Sequence, residues 1–169
     1  MAKDYGADRM VEKYAQPFDA VKKQVEEMKA SGKYSTVEMT NNGGIFAIEN
    51  GKARHKLEEI EAGRHMAKAG YHVTLKDETG YTKTPDGYVY SFSFEQRTPN
   101  TDGARSVMKS LEHAKTKSSD VAVIYDKYHK YNRNTIEKGL SVYEQYNKYR
   151  FKRIIVISKS GNVYEHSHN

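Results

Sequence analysis

Carboxylates come in a definite order in this chain: Glu58, Glu59 and Glu61 in a helix-forming stretch, Asp86 in Thr84-Pro85-Asp86, and Glu95 in Phe94-Glu95-Gln96-Arg97. An Asp at the start of one strand and a Glu near the end of the next, with a helix acid behind them, make an oxygen-rich set suited to Mg²⁺ or Mn²⁺. Arg97, two residues beyond Glu95, shares its strand face and can hold an attacking water or phosphate oxygens. The expected site has Asp86 and Glu95 as metal ligands, Glu59 or Glu61 as the further acid, and Arg97 as the clamp. The plain alternative is a Pro-Asp turn followed by solvated charges.

A second chemistry needs no metal, because histidine can act as acid and base while arginine stabilises the transition state. His55, His65, His72 and His113 are its candidates. His55 and His65 lie ten residues apart, nearly three helical turns, so one helix face cannot bring both to one ion. His166 and His168 read as a frayed tail. Between Tyr125 and Arg133 aromatics alternate with bases, the composition that stacks nucleobases and neutralises phosphates. Lys127, Tyr128, His129, Lys130, Tyr131 and Arg133 are therefore the candidate nucleic-acid contacts. The alternative is a polar loop at a sheet edge, its tyrosines packing by their rings.

These residues need a scaffold, and the hydrophobic period supplies one. Val11, Tyr14, Phe18, Val21, Val25 and Met28 form the stripe of an amphipathic helix that Pro17 kinks or begins. That stripe fits packing on the protein's own core or self-association with a second copy. Thr36–Thr40 and Ile45–Glu49 read as a hairpin about Asn41-Asn42-Gly43-Gly44. A helix over Arg54–Ala69 follows, with Leu57, Ile60 and Met66 near one face, stopped by Gly70. Strands are expected at Tyr71–Leu75, Tyr88–Glu95, Val121–Tyr125, Ile154–Ile157 and Gly161–Tyr164. Two more helices lie between them, capped by Asp102 and Asn134. The expected fold is α/β (α+β): one domain over residues 51–169 with a mixed central sheet of about five strands flanked by helices, and residues 1–50 as a helix-and-hairpin extension.

At 169 residues the chain is long enough for one well-packed core. Lys and Arg number 28 against 22 Asp and Glu, giving +6, so the surface attracts polyanions through salt-screened fields. With no cysteine there is no disulfide, thiolate zinc site or cysteine nucleophile. No apolar run approaches the ~20 residues that span a bilayer, and no leader-like segment opens the chain. A cytoplasmic protein is expected, with association with a virion as a further possibility and no membrane partner.

The stretch Glu59–Leu75, then Thr84-Pro85-Asp86, then Phe94–Asn100, then a helix and Val121–Tyr125, resembles the C-terminal nuclease toxins of contact-dependent inhibition systems and their relatives on phages and conjugative elements. The resemblance runs from Arg54 to Val163. It implies a nuclease fold of the PD-(D/E)xK kind or the barnase-like tRNase-toxin class, acting on tRNA or DNA, with an immunity protein as partner. By position Glu59 or Glu61 matches the helix acid, Asp86 the PD acid, Glu95 the second acid, and Arg97 the place of the lysine. Arginine stays protonated and cannot act as a free base, though it still clamps phosphate. The segment Tyr88–Phe94 also lacks a strongly polar turn. If it ran as one strand at roughly 3.3 Å per residue, Asp86 and Glu95 would lie about 30 Å apart; a fold back near Ser91 or Ser93 would bring them together. The expected function is thus a toxin-type nuclease from a mobile element or phage, or, in a different class, a catalytically inactive nucleic-acid-binding or virion-associated protein on the same fold.

Overall fold

The computed structural model describes residues 3–4, 9–52, 54–77 and 84–168. In chain order the elements are β1 (Lys3–Asp4), α1 (Met10–Lys13), α2 (Phe18–Ser31), β2 (Tyr34–Met39), β3 (Ile45–Glu49), α3 (Leu57–Lys68) and β4 (His72–Leu75). They continue as β5 (Gly87–Val89), β6 (Phe92–Arg97), α4 (Ala104–Thr116), β7 (Val121–Tyr125), α5 (Arg133–Tyr146), β8 (Arg153–Ile157) and β9 (Val163–Ser167). All nine strands join one mixed sheet in the order β1-β9-β8-β7-β6-β5-β4-β3-β2. The pairs β3–β4, β6–β7 and β7–β8 are parallel, each closed by a helical crossover through α3, α4 or α5.

Helices cover both faces of the sheet, and strand alternation sorts the side chains between them. On one face Ala62, Met66 and Ala67 of α3 pack against Phe46, Val73, Phe94, Val121, Val123 and Tyr125. On the other, Val107 and Leu111 of α4 and Ile136, Leu140 and Tyr143 of α5 pack against Ala122, Ile124, Ile154 and Val156. Every residue of β7 is buried, which explains why Val121–Tyr125 reads as an unbroken apolar run. Val21 and Val25 bring α2 down on Ile45 and Ala47.

Several expectations change. Among the described residues the sheet has nine strands rather than about five: β2 and β3 join it, with β3 parallel to β4, β1 pairs with β9, and the expected second strand is divided. The N-terminal stripe is split into α1 and α2, with Pro17 at the N-cap of α2. Tyr88–Glu95 is two strands, β5 and β6. Leu57 is exposed, not part of the α3 stripe. Asn132 rather than Asn134 caps α5, its side chain accepting from Thr135 N–H at 2.9 Å, and Gly103 rather than Asp102 precedes α4. The last strand reaches Ser167, so the terminal histidines are not frayed: His166 sits in β9, and His168 is buried against Tyr143 and Phe151.

The N-terminal segment is fastened to the last strand. Lys3 pairs with Ser167, and the buried carboxylate of Glu165 accepts from Met10 N–H, from Tyr71 O–H at 2.7 Å and from Arg153 Nε at 2.9 Å.

Candidate functional site

The chain folds back at Tyr90-Ser91. Tyr90 takes a left-handed φ of 53°, the conformation that two-residue hairpin turns ask of their first residue. Its ring is held there by packing 5.2 Å from Tyr14 and 5.1 Å from His72, centroid to centroid. The hairpin register pairs Gly87 with Phe94, so Asp86 stands one step beyond the ladder beside Glu95. Oδ2 of Asp86 accepts a hydrogen bond of 2.7 Å from Gln96 N–H. Gly87 makes this closeness possible, because a Cβ there would run into the Thr74 carbonyl oxygen and the Phe94 ring. The two acids that the sequence separates by a hairpin are therefore neighbours.

Both are withdrawn from solvent, Asp86 to 6% and Glu95 to 4% exposure. Glu95 alternates with Phe94 and so points to the α4 face, where its Oε2 lies 2.8 Å from Nε2 of His113. Lys117, at the end of α4, donates to the Thr84 carbonyl at 3.3 Å, which holds the Pro85-Asp86 segment against that helix. His113 was one of four histidine candidates by type alone; its contact with Glu95 joins elements 18 residues apart and has no local signature.

The helix acids lie elsewhere. Helix α3 packs on the sheet face opposite to α4, so Glu59 and Glu61 do not join Glu95. Glu59 meets Nδ1 of His55 at 3.1 Å, and Glu61 accepts from Lys127 Nζ at 2.8 Å, with Glu58 3.6 Å from the same amine. Among the described residues no group of three or more His, Asp or Glu side chains is placed to hold a metal ion. The expected cluster of three acids is thus reduced to the pair Asp86 and Glu95. A pair still suits Mg²⁺ or Mn²⁺, which bind through one or two carboxylates and complete their shell with water and substrate phosphate.

Arg97 is exposed at the end of β6 and borders a polar cleft of about 320 Å³ with Glu58, Glu59, Gln96, Asn100 and Tyr128. Hydrogen bonding to Glu61 pushes the Lys127 amine up from its ordinary range, so this cation is committed to α3. The loop between β7 and α5 contains most of the aromatic and basic candidates and lies at the carboxyl ends of the parallel strands β6, β7 and β8, where ligands of open α/β sheets gather. Asp126 organises it by accepting from Lys130 N–H at 2.7 Å and Tyr131 N–H at 3.2 Å. Tyr128, His129, Lys130 and Arg133 are exposed or nearly so. Tyr131 is not: it is buried, and its hydroxyl donates to the Thr101 carbonyl at 2.6 Å, so most of its ring is packed in the core.

The fold and this geometry define a single-sheet mixed α/β protein with a paired-carboxylate hairpin and a basic loop at one sheet end. Compared with solved structures, the chain is similar to one in a CdiA-CT/CdiI toxin and immunity complex from Burkholderia pseudomallei, with a TM-score of 0.57 and 17% identity. The match covers 71% of this chain and 98% of that one. At this identity the likeness is one of fold alone. No protein-family model matches the chain, and no curated protein does. Among the described residues no helix is long and apolar enough to cross a membrane.

Proposed function

We propose that the protein is a toxin-type nuclease acting on phosphodiester bonds of tRNA or DNA, with Asp86 and Glu95 as its central acids and Arg97 as a phosphate clamp. The observation that supports this most directly is the Asp86 to Gln96 hydrogen bond, which brings the PD acid onto the strand carrying Glu95. The element order α3-β4-β5-β6-α4-β7 places this hairpin inside the sheet rather than on a mobile loop. In this reading Asp86 and Glu95 would hold Mg²⁺ or Mn²⁺, which when bound supplies charge neutralisation at the scissile phosphate. Arg97 contributes a fixed charge for phosphate oxygens, and the exposed Tyr128, His129 and Lys130 guide the strand toward the sheet end. The architecture shared with a chain of a toxin and immunity complex supports an immunity protein as the natural partner.

The deciding experiment incubates the protein with tRNA and with plasmid in Mg²⁺, Mn²⁺ or EDTA. Metal-dependent cutting that is lost in Asp86→Asn is the expected result, and Arg97→Lys should raise it, since a compact amine approaches the attacking water more closely. Cutting that persists in EDTA would replace the metal by acid–base chemistry at His113. A second reading, a non-catalytic nucleic-acid-binding protein on the same fold, is favoured by the burial of both acids and the engagement of Glu95 by His113. It predicts no cutting under any condition but salt-sensitive binding, with a log–log slope of roughly −0.7 to −0.9 per phosphate contact.

A further inference from the structure

Outside the acid pair, a concavity of about 380 Å³ opens on the α5 face of the sheet, at the carboxyl end of β8. Its floor is apolar. Val156 of β8 and Tyr164 of β9 are register partners, so their side chains stand next to each other on one face. Ile136, in the first turn of α5, completes the floor. Tyr164 leaves 45% of its surface exposed, an unusual share for a large aromatic in a sheet whose neighbours are covered. The rim is polar: Arg133, His129 and Ser158 stand around the opening.

We infer that this concavity binds a nucleotide, its base stacked on the Tyr164 ring over Val156 and Ile136 and its phosphate held by Arg133. The inference rests on nucleic acid being the protein's ligand and adds a subsite that neither the acid pair nor the basic loop requires. The volume suits a mononucleotide, at the lower end of the roughly 300–1,000 Å³ of small-molecule sites. An aromatic face on an apolar floor accepts any base, because every base has a π-face. A purely apolar ligand would fill the floor but leave the charged rim unused. Arg133 is 73% exposed on its side chain and pairs at the surface with Glu137 at 3.1 Å, a weak contact that a phosphate readily displaces. The Asp126 carboxylate, also in the wall, is turned onto the loop backbone by its bonds to Lys130 and Tyr131 N–H. The site lies beside the same loop as the polar cleft of Arg97 and Tyr128, so a strand draped over the sheet end can touch both.

Amide chemical shifts followed during titration with 5′-AMP, 5′-CMP, adenosine and a single-stranded octanucleotide test this. Saturable shifts at Arg133, Ser158 and Tyr164 are expected with both nucleotides. Tyr164→Ala should weaken binding tenfold or more, Tyr164→Phe should stay within twofold because the ring face is retained, and Arg133→Ala should remove the advantage of 5′-AMP over adenosine. Comparable saturation by 5′-AMP and by the octanucleotide marks a free nucleotide as the ligand; tight binding of the octanucleotide alone, still dependent on Tyr164, marks a nucleotide within a strand. Shifts absent from these residues with every probe, unchanged affinity in Tyr164→Ala with an intact thermal melt, or equal shifts with indole would overturn the assignment. Failure of the nuclease reading is seen separately: if Asp86→Asn cuts as the parent does, that reading falls while the subsite stands. If Asp86→Asn is dead and Tyr164→Ala binds normally, the reverse holds.

Discussion

Oδ2 of Asp86 lies 2.7 Å from the backbone nitrogen of Gln96, so an acid from a turn is fastened to the strand that bears the second acid. Replacing Asp86 by Asn keeps an acceptor for this bond and removes the charge. Cleavage of tRNA or plasmid should then fall by about 10²-fold or more, while the folded state changes by no more than about 1 kcal/mol. Glu95→Gln should behave alike. Urea titration beside the cleavage assay separates the effects, and loss of folding in step with loss of cutting would make the pair structural.

Buried Glu165 ties Met10, Tyr71 and Arg153 together. Glu165→Ala removes the carboxylate that the partly buried Arg153 guanidinium and the buried Tyr71 hydroxyl share, at a cost of about 3 kcal/mol. Tyr71→Phe removes one donor only and should cost about 1 kcal/mol. Chemical denaturation midpoints check the ranking, and a Glu165→Ala protein as stable as the parent would show that the network contributes little.

Acid should weaken the fold through His168. Burial lowers its pKa to about 4, with Glu144 opposing the shift. Its Nδ1 accepts from Phe151 N–H at 3.2 Å, a bond that protonation destroys. The unfolded chain takes up the proton near pH 6.5, so stability is complete above that pH and is lost as the pH falls toward 4, by at most about 1.4 kcal/mol per unit. His65 and His72, also lowered chiefly by burial, act in the same direction. Denaturation at pH 7 and pH 5 should show a smaller drop in His168→Phe than in the parent; an equal drop would assign the effect elsewhere.

Gly139 is where α4 and α5 touch. A Cβ there would collide with the Val107 side chain and the Ala104 carbonyl. Alanine improves intrinsic helix propensity by about 1 kcal/mol. Overpacking against a backbone carbonyl costs about 1–3 kcal/mol, so the clash wins and Gly139→Ala should lower the melting temperature. A rise instead would mean that the two helices slide apart freely.

The parts of the fold that could be read from the chain are those coded locally. Val121–Tyr125 and Ile154–Ile157 are short apolar runs because both faces of these parallel strands are covered. The hairpin that joins Asp86 to Glu95 was harder to see, since its turn uses Tyr90 and Ser91 where glycine or asparagine is the usual signal. Tertiary packing of the Tyr90 ring overrides that preference. The strand count was short because the pairing of β3 with β4 is non-local and the β2–β3 hairpin looks self-sufficient. Composition located the basic loop but could not tell that Tyr131 turns inward while Tyr128 and Tyr164 turn out. Likewise, three helix acids signal a site only if their helix lies on the correct face of the sheet.

The tether between Met10 and Glu165 spans 155 positions of sequence. Contacts this distant close late, because loop entropy must be overcome before they form. During synthesis the segment around Met10 can pack on Tyr90 and Phe92 but lacks its Glu165 tether until the last strand has emerged, whereas β6 to β8 with α4 and α5 can assemble from neighbouring stretches. Removing the residues from Val163 onward should accordingly disturb the opposite end of the chain, visible as proteolytic nicking near Met10, and leave the centre of the sheet the last region to yield.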